Sequence, residues 1–171
     1  LVNQYGETVK LSDFRGKKPV VVVFYPLSFS GICTGELCEI RDNFAKFEKE
    51  DIELLAISVD SKFVQKQFAE HEGYKFSVLA DFWPHGAVAQ AYGVFIEEAG
   101  IANRATFVVN KDGELVAKFV TAPGQARRRP LRRERCSAPP QGGAPPTRQA
   151  EETRTRRGCG AWRPIIGRAP V

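Results

Sequence analysis

The chain has 171 residues, enough for one domain with a substantial core and too few for two ordinary ones. No apolar run approaches the roughly 18 residues of a membrane helix, and no basic stretch is followed by an apolar one, so neither a spanning helix nor a secretory leader is expected. The net charge of +5 divides unevenly: residues 1–122 carry 13 Lys and Arg against 17 Asp and Glu, or −4, whereas residues 123–171 carry 12 Arg against 3 Glu, or +9.

The chain starts at Leu1 and contains no Met, which leads us to expect a truncated or processed amino end. VVVVFY, residues 20–25, is a continuous β-branched run of the kind a strand buried on both faces needs. A helix is expected from about Thr34 to Glu50, because Leu37, Ile40, Phe44 and Phe47 recur at helical spacing on one face. ELLAISVD, residues 53–60, reads as the next strand. SKFVQKQFAEHEG follows as a helix with Ser61 as N-cap and Gly73 just past its end. FSVLAD is a short strand, HGAVAQAYGV a short helix, and ATFVVN-KDG-ELVAKFV a hairpin turning at Asp112 and Gly113. Strands alternating with helices and closing on an antiparallel hairpin predict an α/β fold, a thioredoxin-like three-layer sandwich on a mixed sheet, over residues 1–122.

Residues 123–171 follow a different regime. They hold 8 of the 11 Pro and none of the 12 Phe. Such a segment cannot bury enough apolar surface to offset its ordering entropy, so a disordered Arg/Pro-rich tail is expected. Arginines can neutralise phosphates, which makes a nucleic-acid-binding arm one reading. The segment has only Trp162 for base stacking and no periodic face, so a non-native or unselected extension is the preferred reading.

The most informative stretch is YPLSFSGICTGELCEI, residues 25–40. A buried strand ending at Tyr25 and Pro26 delivers a small loop to the sheet edge, where functional loops sit. Cys33 then falls in the first turn of the following helix, where unpaired N–H groups and the helix dipole favour an anion. A thiolate is the anion on offer, and a cationic neighbour would make it a nucleophile. Ser30 can bring a hydroxyl near the sulfur, and Pro26, lacking an N–H, can pack over it. An inert buried cysteine is the plainer alternative.

Pro26, Ser30 and Cys33 match the peroxiredoxin signature of a Pro, a Ser or Thr four positions on, and the peroxidatic Cys three beyond. The resemblance covers residues 1–122. DFWPHGAVAQAYGVF and GIANRATFVV look most like the alkyl hydroperoxide reductase E branch of actinobacteria, a group described as one-cysteine. It implies that Cys33 attacks a hydroperoxide and becomes a sulfenic acid without haem, metal or other cofactor, that Arg104 completes the site, and that Glu36 lies beside it. An ordinary ion-pair Arg and a helix first-turn Glu are the alternatives. His85, in FWPHG, is expected to stabilise a turn.

Cys38 departs from that branch. C-x4-C is the spacing of the Q-type, bacterioferritin-comigratory-like peroxiredoxins, whose second cysteine resolves the first. On one regular helix a five-residue step separates the two Cα atoms by roughly 8–9 Å, beyond the ~7 Å reach of a disulfide, so a resolving role requires the helix to unwind. The alternative is a buried Cys acting as a small hydrophobe. C-x4-C has no second ligand pair for zinc, Cys136 and Cys159 lie in the tail, and a thioredoxin-type reductase would need C-x-x-C.

The resemblance further implies a hydroperoxide substrate, reduction by thioredoxin, mycoredoxin or a low-molecular-weight thiol, and a homodimer. No membrane or nucleic-acid partner is expected. Four Cys at uneven spacing without a leader fit a reducing compartment, and the cytoplasm is expected. Two rival readings remain. One is a defective copy whose start lacks the family's preceding strand segment and whose end replaces its final helix. The other is a basic nucleic-acid-binding protein acting through the tail.

Overall fold

The computed structural model describes residues 1–121. In chain order its elements are β1 (Val2–Asn3), a short 3-10 helix (Leu11–Phe14), β2 (Val20–Phe24), α1 (Gly31–Asp42), α2 (Phe44–Lys49), β3 (Glu53–Ser58), α3 (Lys62–Glu72), β4 (Ser77–Ala80), α4 (Ala87–Ala91), β5 (Phe95–Ile96), β6 (Ile101–Ala102), β7 (Ala105–Val109) and β8 (Leu115–Val120). Six strands form one sheet in the order β1-β4-β3-β2-β7-β8, and β5 and β6 form a separate two-stranded hairpin. The β2–β3 and β3–β4 pairs are parallel, and the β1–β4, β2–β7 and β7–β8 pairs are antiparallel, so the sheet is mixed as expected.

All five residues of β2 are buried, which is what an uninterrupted β-branched run at the sheet centre requires. Side chains alternate across the sheet. Val21, Val23 and Tyr25 pack on one face with Leu37 and Cys38 of α1 and Phe68 of α3. Val20, Val22 and Phe24 pack on the other with Ala89 of α4, Phe107 of β7 and the partly buried Tyr92. Helices on both faces make the three-layer thioredoxin-like sandwich. Among the described residues no helix is long and apolar enough to cross a membrane.

Three local features differ from the sequence reading. The helix expected over Thr34–Glu50 starts three residues earlier, at Gly31, and is two helices divided at Asn43. The side chain of Asn43 donates to the Glu39 carbonyl at 2.9 Å, and its backbone, at φ −105° and ψ 8°, leaves the helical path. At the β7–β8 hairpin the turn is closed by Gly113 N–H to Asn110 O, with Lys111 and Asp112 at its centre and Gly113 beyond them at φ +86°. At the amino end β1 adds an antiparallel edge strand, continued by the Gln4 side chain, which donates to Phe76 O and accepts from Val78 N. Ser61 and Gly73 cap α3 as expected: Ser61 Oγ accepts from Val64 N, and Gly73 is left-handed at φ +71°. The Arg/Pro-rich tail and its domain boundary lie outside the described residues.

Buried Asp81 follows β4 and accepts the N–H groups of Val88 (3.1 Å) and Ala89 (2.8 Å), fastening α4 to the sheet. Asp81→Ala leaves both donors without this acceptor, the Ala89 N–H in a buried setting and the Val88 N–H in a partly buried one. It is expected to lower the unfolding free energy by about 2–3 kcal/mol, read from urea denaturation curves.

Candidate functional site

Sheet register assembles the site. Phe24, the last residue of β2, pairs with Ile57 of β3 on one side and with Ala105, the first residue of β7, on the other. The loop leaving β2 and the residue entering β7 therefore meet at one sheet edge. That residue is Arg104. Its backbone is pinned there, with its N–H on Asn103 Oδ1 at 2.8 Å and its carbonyl accepting from Thr121 N at 2.9 Å.

Cys33 is the third residue of α1, behind the N-cap Ser30, whose backbone is extended at φ −72° and ψ 137°. The cysteine is 0% exposed and Arg104 8%. Arg104 Nη2 donates to Cys33 Sγ at 3.2 Å, and Nε donates to Glu36 Oε2, also at 3.2 Å. Cys33 and Glu36 are three residues apart and so share a helix face, where one guanidinium reaches both. The carboxylate aims the guanidinium, and the permanent positive charge stabilises negative charge on the sulfur. Cys33 and Arg104, 71 positions apart in sequence, are in direct contact.

The remaining sequence candidates are distributed around this pair. Pro26 is half-buried where the chain bends out of β2. The Ser30 hydroxyl, expected near the sulfur, donates to the Leu27 carbonyl at 3.1 Å. Cys38 is fully buried, with Sγ 3.2 Å from Glu72 Oε2 and 3.9 Å from Tyr74 Oη. Both Cys33 and Cys38 are free thiols. Because α1 runs unbroken from Gly31 to Asp42, the two Cα atoms keep the helical separation of roughly 8–9 Å. His85 is engaged in the β5–β6 region, its Nε2 donating to Gly100 O at 2.7 Å and its ring edge-on to Phe95.

Sequence reading missed two supports. Phe29 is left-handed at φ +62°, a conformation costing an L-residue about 1–2 kcal/mol, and its ring sits 4.8 Å from that of Phe68. An aromatic residue carries no signal for such a turn. Asp60 accepts from Ser28 N at 2.8 Å and from Ser58 Oγ at 2.9 Å, linking the loop after β2 to the loop after β3. An acidic residue directly after an apolar strand run was the available signal. Among the described residues no group of three or more His, Cys, Asp or Glu is arranged to hold a metal ion.

Residues 1–118 match the family model described as the AhpC/TSA family. The alkyl hydroperoxide reductase E of Mycobacterium tuberculosis is 50% identical over 127 residues, covering 74% of this chain and 83% of that protein. The chloroplastic 2-Cys peroxiredoxin BAS1 of Hordeum vulgare is 36% identical over 126 residues, covering 70% of this chain and 59% of that relative. Among solved structures, the peroxidoxin BcpB of Mycobacterium tuberculosis superposes with a TM-score of 0.65 at 31% identity, covering 70% of this chain and 79% of the other.

Two phenols lie behind the site. Burial pushes the Tyr25 phenol well above its ordinary range, against the opposing hydrogen bonds of Ser28 and Ser58. Burial raises Tyr74 further, helped by Cys38 and Glu72, and burial raises Tyr92 on the opposite face. Below pH about 10 these groups are protonated folded and unfolded alike, so their contribution to stability is fully present. Above it the unfolded chain loses its protons first and that stability is lost as pH rises. Urea midpoints are expected to fall between pH 10 and 11.5, with phenolate absorbance appearing together with unfolding.

Proposed function

The chain belongs to the AhpC/TSA family, and from that premise we propose that it is a thiol-dependent peroxidase that reduces hydroperoxides through Cys33. The Cys33 thiolate attacks the terminal oxygen of the peroxide in line. The S–O bond forms as the O–O bond breaks, the sulfur is oxidised to a sulfenic acid, and the departing alkoxide or hydroxide takes a proton and leaves as alcohol or water. Arg104 stabilises charge on the sulfur and on the peroxide oxygens as it develops, and Glu36 holds the guanidinium in place. The first-turn N–H groups of α1 orient the peroxide, the Ser30 oxygen, its proton held by the Leu27 carbonyl, accepts from the hydroperoxide O–H, and Pro26 shields the sulfur from water. The observation that carries this reading is the 3.2 Å contact between buried Arg104 and buried Cys33 at a helix start.

The cycle closes when a thiol displaces water from the sulfenic acid to give a mixed disulfide, which a second thiol reduces. Thioredoxin, mycoredoxin or a low-molecular-weight thiol is the proposed reductant, with a homodimer in the cytoplasm as the working form. Cys38 is the candidate internal thiol. It can reach Cys33 only after the first turns of α1 unwind, so the sulfenic acid precedes any Cys33–Cys38 disulfide. Residues 1–122 are proposed as the peroxidase domain and 123–171 as dispensable for the chemistry.

Stopped-flow mixing with one equivalent of peroxide tests the assignment. Cys33→Ser is expected to abolish peroxide consumption, and Arg104→Ala to slow it by about 10²–10³-fold. Peroxide consumption undiminished in Cys33→Ser would refute the proposed nucleophile. Mass spectrometry at successive times is expected to find dimedone-trapped sulfenic acid at Cys33 before any Cys33–Cys38 disulfide.

A further inference from the structure

We propose that Asp60 is a positioning residue for Cys33, acting through Ser28 and the strained Phe29 and not by touching the sulfur. Six residues, 25–30, the last of them the N-cap Ser30, connect β2 to α1, and their conformation sets where Cys33 lies against Arg104. Midway along them the Ser28 N–H is bound by Asp60 Oδ2 at 2.8 Å. The same oxygen accepts from Ser58 Oγ at 2.9 Å, and Ser58 Oγ in turn accepts from Gln65 Nε2 at 3.0 Å, which also donates to Leu79 O at 2.7 Å. Ser58 and Gln65 are fully buried, so the carboxylate is fixed from the sheet side. Ser28 Oγ meets Tyr25 Oη at 3.1 Å, closing the network onto the end of β2.

The next residue explains why an anchor is needed. Phe29 occupies the left-handed region at φ +62°, where an L-residue stays only if its neighbours hold it. Asp60 holds the amide before it, and contact with Phe68 holds its ring. Released, Phe29 relaxes to negative φ and redirects Ser30, the N-cap whose carbonyl accepts Thr34 N at 2.9 Å. The start of α1 then shifts, and with it the 3.2 Å contact between Cys33 and Arg104. Charge alone argues against a direct electrostatic role. A carboxylate near a thiolate opposes it, so the useful property of Asp60 is its acceptor oxygen.

The rate readout rests on the peroxidase reading, so a second readout independent of peroxide is included. Asp60→Ala is expected to slow the peroxide reaction by about tenfold or more. It should also move the pH profile of Cys33 alkylation, followed on the Cys33 peptide by mass spectrometry, to higher pH. Asp60→Asn keeps an acceptor for Ser28 N–H and is expected to recover most of both losses. Should Asp60→Ala not fold, Ser58→Ala, which removes the hydroxyl that Asp60 and Gln65 share but leaves Asp60 on Ser28 N–H, is expected to cost a smaller factor in rate. Ser28 N–H in the unaltered protein is expected to be protected from hydrogen exchange. Any of three results would overturn the proposal: lower stability in Asp60→Ala with an unchanged alkylation profile, faster alkylation in both Asp60→Ala and Asp60→Asn, or an unprotected Ser28 amide. Absence of peroxide consumption by the unaltered protein would refute the peroxidase reading alone, leaving the alkylation comparison to decide the role of Asp60.

Discussion

A guanidinium lying against a sulfur inside the protein is the contact on which this structure turns. Burying a cation is costly unless it is paired, and Arg104 is paired on both sides, by Glu36 and by Cys33. Neither partner is near it in sequence. The pairing exists because β7 runs antiparallel to β2 and begins where β2 ends, with Ala105 opposite Phe24. Sheet register, more than loop sequence, brings the charge to the helix start.

What holds Arg104 in turn is a small knot at the top of the β7–β8 hairpin. Asn103 accepts the Arg104 N–H and donates to Thr121 O, while Thr121 N–H returns to Arg104 O. On the other side of β2, Asp60, Ser58 and Gln65 tie the β2 loop to β3 and α3. The loop that leads to Cys33 and the arginine that touches it are thus held by two polar networks rooted in different strands. Each satisfies backbone groups that a buried loop would otherwise leave unpaired.

Much of this framework was readable from residue order. The β-branched run of β2, the Ser61 and Gly73 caps of α3 and the β7–β8 hairpin follow from local chemistry and were placed nearly where they occur. The break at Asn43 was not readable, because Leu37, Ile40, Phe44 and Phe47 keep helical spacing across it and hide a side-chain bond to Glu39. Phe29 was opaque for a different reason: its left-handed backbone is imposed by Asp60 and Phe68, both more than thirty residues away. Cys33 and Ser30 stood out by spacing, whereas Arg104 was reached by resemblance. Asn103 had no local pattern, and for Asp60 the only signal was an acid directly after an apolar run, since both roles depend on which strands become neighbours.

Enclosure of the Cys33 sulfur has a consequence for how the cycle can be completed. Cys33 has no accessible surface, although Leu27, Phe29 and Ile32 of the surrounding segment are exposed, so the sulfur of a protein thiol cannot approach to bonding distance while that segment keeps this shape. Rescue by any thiol carried on a macromolecule therefore demands a second, loosened shape of that one short segment, which offers the spent sulfur outward.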